Sequence, residues 1–101
     1  MNKISRITLW ELKSKTDSSR LEATIDEEGN LVLEGYDRGE TPKAAWGDSD
    51  YEYWITVKKD FKDTLLLWLL KDRFDRDWDR DSLFGKWLDQ KGIQHEFANW
   101  V

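Results

Sequence analysis

The chain has 101 residues, a formal net charge of −5 and no cysteine, which excludes disulfides and thiolate metal sites. Aromatic residues make up 14% of it, and disordered chains are poor in such residues, so we expect one folded domain over residues 1–101 with an aromatic-rich core. The acidic balance disfavours direct binding to nucleic acid, which requires basic patches.

The first third of the chain predicts strands. Residues 4–12 are β-branched and aromatic and predict the first strand, and the polar stretch "KSKTDSSR" after them predicts a loop. Residues 21–26 and 31–36 each alternate apolar and polar side chains around the turn "EEGN". This pattern is typical of a β-hairpin.

A loop and a fourth strand follow. Residues 37–48, "DRGETPKAAWGD", contain two glycines and the only proline, which predicts a loop anchored by Trp46. Residues 51–57, "YEYWITV", predict a strand with one face more apolar than the other. The side chains expected to face the core are Tyr51, Tyr53, Ile55 and Val57.

The period then changes to that of helices. Asp60 is the expected N-cap of a first helix that runs to about Phe74. A second helix is expected to begin near Asp81 or Ser82 and to end before Gly92. Residues 93–100, "IQHEFANW", predict a closing strand. The apolar stripes are Phe61, Leu65, Trp68 and Leu69 in the first helix and Leu83, Phe84, Trp87 and Leu88 in the second.

The predicted order of elements is therefore β-β-β-β-α-α-β. Strands followed by helices indicate an α+β domain. We expect a largely antiparallel sheet with two helices packed on one face.

The sequence gives little support for an enzyme. The serines stand in no known nucleophile motif, and no P-loop or dinucleotide fingerprint is present. The only histidine, His95, is in phase with Ile93 and Phe97 in the predicted last strand, so a structural role is favoured, and Glu96 would point to the opposite face. We expect a non-enzymatic protein without a cofactor.

Three acids around the fourth strand leave a metal site as the alternative. Asp48, Asp50 and Glu52 recur at every second position and carry the hard oxygen ligands that suit Mg²⁺, Mn²⁺ or Ca²⁺. The turn glycine and distant glutamate of an EF-hand are missing. The alternative function is a divalent-metal-binding domain or a metal-dependent hydrolase that uses these acids.

Two further stretches bear on partners. Residues 71–81, "KDRFDRDWDRD", balance five Asp against three Arg and one Lys, which indicates a solvated connection rather than a phosphate-binding surface. The first helix is apolar well beyond one face, so Leu66, Leu67 and Leu70 are candidates for a homodimer contact. Its apolar run is too short to span a bilayer, and the first ten residues lack a signal peptide's apolar region, so we expect a cytoplasmic protein.

The stretch "WGDSDYEYWITV", the Leu-rich helix and the closing "KGIQHEFANW" resemble a group of small acidic bacterial and phage proteins of unassigned function. The resemblance covers the chain from Leu31 onward and implies no catalytic residues. Size, acidity and lack of cysteine also resemble immunity proteins and phage-encoded inhibitors. This resemblance implies a protein–protein interaction module that binds a basic partner. The candidate surface is formed by Trp46, Asp48, Asp50, Glu52 and Trp54.

Overall fold

A computed structural model describes residues 4–47, 49–76 and 83–100 of the chain. Its elements, in chain order, are β1 (Arg6–Lys13), β2 (Asp17–Ile25), β3 (Leu31–Gly39), α1 (Glu40–Trp46), β4 (Asp50–Val57), a 3-10 turn (Lys59–Phe61), α2 (Lys62–Phe74) and α3 (Leu83–Gln90). The strands form one antiparallel sheet, which confirms the α+β class.

The chain divides into two compact units. The sheet unit is Ile4–Asp63, and the helical unit holds the described residues from Thr64 onward. A single domain over residues 1–101 and two helices packed on one face of the sheet both stay predictions.

The order of strands in the sheet is the order along the chain, β1-β2-β3-β4. The predicted hairpin is confirmed: β2 and β3 pair without a break from Ile25 opposite Leu31 to Asp17 opposite Gly39. The pairing of β1 with β2 shifts between Thr8 and Trp10, which marks a β-bulge. The pairing of β3 with β4 shows no shift.

Register divides the sheet into an apolar face and a polar face, since directly opposed residues point to the same side. The apolar face contains Ile7, Trp10, Leu12, Leu21, Ala23, Ile25, Leu31, Leu33, Tyr51, Tyr53, Ile55 and Val57. The polar face contains Arg6, Glu11, Lys13, Arg20, Glu22, Glu34, Tyr36, Arg38, Asp50, Glu52 and Trp54. The predicted phase of β4 is therefore confirmed.

Among the described residues no large apolar side chain is fully buried, and the expected aromatic-rich core stays a prediction. Aromatic side chains contact one another in small groups. In the helical unit, the ring of Phe74 lies 5.3 Å from that of Phe84 and 6.1 Å from that of Trp87. These contacts join the end of α2 to α3, and all three rings are half-buried.

The loop predicted for residues 13–20 is mostly strand. β2 begins at Asp17, because its first residues pair with Gly39 and Arg38 at the end of β3. Only residues 14–16 turn, and the Ser14 hydroxyl oxygen accepts hydrogen bonds from the backbone N–H groups of Thr16 and Asp17. Polar composition alone could not reveal this cross-strand pairing.

The loop predicted for residues 37–48 is also wrong, because it contains the end of β3 and the helix α1. Asp17 caps this helix from a distant strand: its carboxylate accepts a hydrogen bond from the Thr41 N–H at 2.9 Å. Pro42 is tolerated since the first-turn N–H groups have no partner within the helix. Gly47 ends the helix in the left-handed conformation, with φ at 79°.

Asn30 ties the β2–β3 turn to the segment after β4. It is only 5% exposed, its Oδ1 accepts from the Lys59 N–H at 2.9 Å, and its Nδ2 donates to the Asp26 carboxylate at 3.3 Å. Asp26 also accepts from the backbone N–H groups of Glu28 and Asn30. One buried amide therefore joins two loops at one end of the sheet.

The acid-denaturation profile should depend on Asp17 and Asp26. The hydrogen bond from the Thr41 N–H lowers the pKa of Asp17, and that from the Asn30 N–H lowers the pKa of Asp26, below the ordinary value of 3.8. Stabilisation from both carboxylates is thus complete above the unfolded-state pKa and is lost as pH falls through the lower folded-state pKa. Melting temperatures of the wild type and of an Asp17→Asn/Asp26→Asn variant should differ at pH 7, and the difference should begin to shrink only below about pH 4 and close below the lowered folded-state pKa values.

The charge control for this comparison is Glu27→Gln, which removes one carboxylate from the same turn. Its melting temperature should follow that of the wild type through the acid range. A gap between wild type and double variant that stays constant from pH 7 to pH 2 would contradict the role of the two carboxylates.

The helices largely follow their predicted spans. α2 ends at Phe74 as predicted, but it begins at Lys62, and Asp60 lies inside the preceding 3-10 turn, so the N-cap prediction is wrong. Gly92 has a positive φ of 67° beyond α3, and the Ile93 N–H donates to the Leu88 carbonyl at 2.9 Å. This is the predicted glycine end of a helix. Asp81 and Ser82 lie outside the described residues.

The last predicted strand is wrong: residues 93–100 have no regular secondary structure. The alternation of "IQHEFANW" is a local pattern, and a strand also needs a neighbour to pair with. In the described part of the chain, no helix has both the length and the apolar character needed to cross a membrane.

Candidate functional site

The predicted surface is partly assembled by β4. Asp50, Glu52 and Trp54 lie on the polar face, since they oppose Arg38, Tyr36 and Glu34 of β3. Trp46 is the last residue of α1, and nothing further is described of its side chain. Asp48 lies outside the described residues. Of the predicted site, the structure therefore describes the side chains that β4 contributes.

Trp54 is the aromatic centre of this surface. Its side chain is 57% exposed although the residue lies in a regular strand. Glu34 stands directly opposite on β3, at the spacing of about 5 Å between Cβ atoms that such pairs have. Glu52 lies two positions earlier on the same face, about 7 Å along the strand. An indole ring is thus exposed between two carboxylate side chains.

Asp50 has a different environment from Glu52. Its Oδ1 lies 3.5 Å from Nε of Arg38 and accepts a long hydrogen bond, 3.4 Å, from the Tyr36 hydroxyl. This carboxylate is therefore already held by an internal cation. The neighbouring guanidinium offsets part of its negative charge.

Of the two remaining acids of the polar face, Glu22 forms ion pairs with described cations and Glu11 forms none. Glu22 lies 3.0 Å from Nε of Arg20 and 3.8 Å from Nε of Arg6. In the described part of the chain, neither Glu34 nor Glu52 forms an ion pair. Of the three polar-face acids without an ion pair in the described part of the chain, Glu34 and Glu52 lie beside Trp54 and Glu11 lies on β1.

Glu34 was not predicted as a site residue. It lies 12 to 20 positions before the predicted members of the site, and no sequence motif links it to them. The signal that would have found it is the register of β3 against β4, which places position 34 opposite position 54.

Tyr53 fixes β4 from the opposite face. It stands directly across from Gly35, and its ring occupies the space that a Cβ at position 35 would need. The ring of Tyr51 lies 5.8 Å away from that of Tyr53. The apolar side of β4 is thus held against β3 while Glu52 and Trp54 project from the polar side.

The metal alternative gains no support from the described residues. No three His, Asp or Glu side chains within them converge as metal ligands, and Asp50 is engaged with Arg38. Asp48, the third acid of that hypothesis, lies outside the described residues.

His95 lies in the helical unit. One ring nitrogen is 2.9 Å from the Ile93 carbonyl, and the other is 3.5 Å from the Asp89 carboxylate at the end of α3. Since residues 93–100 form no strand, the predicted opposition of His95 and Glu96 across a strand is wrong. The structural role predicted for His95 is consistent with these local contacts.

A cavity of about 310 Å³ with both polar and apolar lining residues lies between α1 and the start of β2. Two of its acids are occupied within the fold: Asp17 caps α1, and Asp37 accepts a hydrogen bond from the Ser19 hydroxyl. The first bond supports α1, and the second joins β2 to β3. They leave the surface around Trp54 as the stronger candidate.

The predicted dimer residues lie on α2. Leu66 and Leu67 are 55% and 66% exposed, whereas Leu70 is half-buried. Dimerisation through these residues stays a prediction, and light scattering that reports the mass of one chain at tens of micromolar would exclude it.

Comparison of the chain with models of protein families, with curated proteins and with solved structures found no match. The resemblance to small acidic proteins and to immunity proteins therefore stays a prediction. Function has to be inferred from the site itself.

Proposed function

We propose that the chain is a non-enzymatic protein-binding module that recognises a basic surface of another protein. The binding site is the part of the polar sheet face around Trp54, Glu34 and Glu52. A small acidic protein that covers a basic partner in this way acts as an inhibitor or an immunity-type protein. The observation that carries the proposal is an exposed indole between two carboxylates that no described cation neutralises.

The aromatic ring supplies binding energy. Tryptophan, tyrosine and arginine dominate the energetics of protein interfaces, and an indole face attracts the ammonium or guanidinium group of a partner. A lysine or arginine that rests on the Trp54 ring is within reach of both neighbouring carboxylates. The three side chains therefore act on one cation together.

The carboxylates supply attraction at longer range. The net charge of −5 favours encounter with a basic protein, and charges at an interface act mainly on the association rate and its salt dependence. Glu34 and Glu52 contribute most, because Asp50 is already paired with Arg38. The proposed attraction therefore depends on Glu34 and Glu52 in particular and not only on the net negative charge of the chain.

The proposal is tested by capture with matched variants. Wild type and Trp54→Ala are immobilised, proteins from the source cells are passed over both, and a retained basic protein is purified and titrated. Trp54→Ala should weaken its binding by about 30-fold, the loss typical of an interface hot spot. The control is Trp10→Ala, because Trp10 is similarly exposed, at 54%, but belongs to the apolar face of β1.

Charge is tested with a second pair of variants. Glu34→Gln/Glu52→Gln should slow association and reduce its dependence on salt between 50 and 500 mM, as expected for steering that ions screen over about 10 Å at 0.1 M. Glu11→Gln/Glu27→Gln changes the net charge equally at a distance from Trp54 and should have a much smaller effect. Equal effects of the two double variants would contradict the proposed site.

A further inference from the structure

β4 is an outer strand of the sheet. In the described sheet it has a strand neighbour only on the side of β3, so residues 52–57 offer backbone N–H and C=O groups on their other side to an added strand. The same surface carries the proposed binding site, since Glu52 and Trp54 belong to β4. The two outer strands of the sheet, β1 and β4, differ in how they are protected against an added strand.

β1 has features that discourage strand addition. It begins and ends with the basic residues Arg6 and Lys13, and its pairing with β2 is interrupted by the bulge between Thr8 and Trp10. Charged ends and bulges are the usual means by which proteins protect the outer strands of their sheets.

β4 lacks these features. It contains no lysine, arginine or proline, and its pairing with β3 is continuous from Val57 to Asp50. The stretch from Glu52 to Val57 is therefore a regular edge whose only charge is one carboxylate.

We propose that β4 binds its partner by strand addition, taking an extended segment in which lysine or arginine alternates with apolar residues. This inference rests on the proposed function and names the form of the partner. The basic side chains of the added strand lie on the polar face, near Glu52 and Trp54. The apolar side chains between them extend the opposite face beside Tyr53, Ile55 and Val57.

The acidic side chains of β4 favour the addition of a basic strand over pairing with β4 of a second copy of the chain. Pairing of β4 with another β4 places two acidic strands side by side, each with Asp50 and Glu52 on the same face, and like charges across a pair of strands are destabilising. A basic strand meets the same carboxylates with attraction. An alternating segment also matches the polar and apolar faces of β4 residue by residue.

The experiment uses a labelled eight-residue peptide in which lysine alternates with valine, and fluorescence anisotropy with the full chain. A peptide of the same composition, with four lysines followed by four valines, should bind at least about tenfold more weakly because its side chains cannot match both faces. Amide hydrogen exchange should slow at residues 52–57 in the complex and remain unchanged in β1.

Backbone methylation makes the test specific for strand addition. An extended strand directs alternate N–H groups to opposite sides, so two versions of the peptide are methylated on alternate amides, one version for each side. One version should lose binding at least about tenfold, because two or three hydrogen bonds disappear. The other should bind as the parent does.

The remaining outcomes overturn the inference. Equal binding by both methylated peptides, with binding still lost in Glu34→Gln/Glu52→Gln, would exclude strand addition and leave the proposed basic-partner site intact. No binding of any lysine peptide, together with no loss of captured protein in Trp54→Ala, would contradict both. A doubled mass with slow exchange at residues 52–57 in the free chain would show that a second copy occupies the edge.

Discussion

Gly35→Ala should lower the free energy of unfolding by about 2 kcal/mol, within the range typical of an overfilled packing site. A methyl group at this position would overlap the ring of Tyr53, which lies across Gly35 from the neighbouring strand. The backbone is not the cause, because Gly35 is absent from the glycines with positive φ. Urea denaturation followed by far-ultraviolet circular dichroism measures the loss.

A double-mutant cycle separates this overlap from other effects of the substitution. In a Tyr53→Ala background the ring is gone, so Gly35→Ala should become neutral or stabilise the sheet by about 0.5 kcal/mol, as alanine is favoured over glycine within a strand. The same loss in both backgrounds would contradict the role of the ring.

This contact also bears on function. Tyr53 lies between Glu52 and Trp54 in the chain, and its ring on the apolar face fixes the register that places these two residues opposite Tyr36 and Glu34. A slip of one residue would send Trp54 to the other face of the sheet. Gly35→Ala should therefore weaken partner binding as well as stability, although position 35 does not belong to the binding face.

Asn30→Ala should lower the free energy of unfolding by about 2 kcal/mol, because it leaves the Lys59 N–H without its buried acceptor. The amide also donates to Asp26, so the substitution loosens the β2–β3 turn and the segment after β4 together. Thermal denaturation of the full chain measures the effect. Asn99→Ala, an exposed asparagine in the helical unit, should change stability by less than about 0.5 kcal/mol.

Asn30→Asp keeps the size of the side chain and an acceptor for the Lys59 N–H, both of which Asn30→Ala removes. The aspartate oxygen can still accept from the Lys59 N–H, but a carboxylate beside Asp26 adds repulsion at neutral pH. The stability deficit of this variant should be larger at pH 7 than near pH 4, where one of the two acids takes up a proton. A deficit independent of pH would contradict the contact between Asn30 and Asp26.

Both predictions concern the placement of β4. Tyr53 holds its centre against β3, and Asn30 holds the backbone that leaves its end. Neither residue carries a charge or belongs to the polar face that forms the proposed site. The position of the proposed binding surface thus depends on Tyr53 on the opposite face of the sheet and on Asn30 at the end of β4.

The sequence alone predicted those elements whose form is set by neighbouring residues. The alternation of residues 21–26 and 31–36 predicted the hairpin, and the alternation in "YEYWITV" predicted which side chains of β4 share a face. Gly92 marked the end of α3. In each of these cases the period of the side chains, or the conformational freedom of one glycine, is set by the residues themselves.

The tertiary structure decided what depends on residues far apart in the chain. Helix α1 was missed because its cap, Asp17, lies 24 positions before Thr41, and the alternating residues 93–100 form no strand despite their pattern. The sequence by itself determined that Glu52 and Trp54 share a face. Only the pairing of β3 with β4 added Glu34 and engaged Asp50 with Arg38, because the energy of a cross-strand contact depends on register, which no single strand contains.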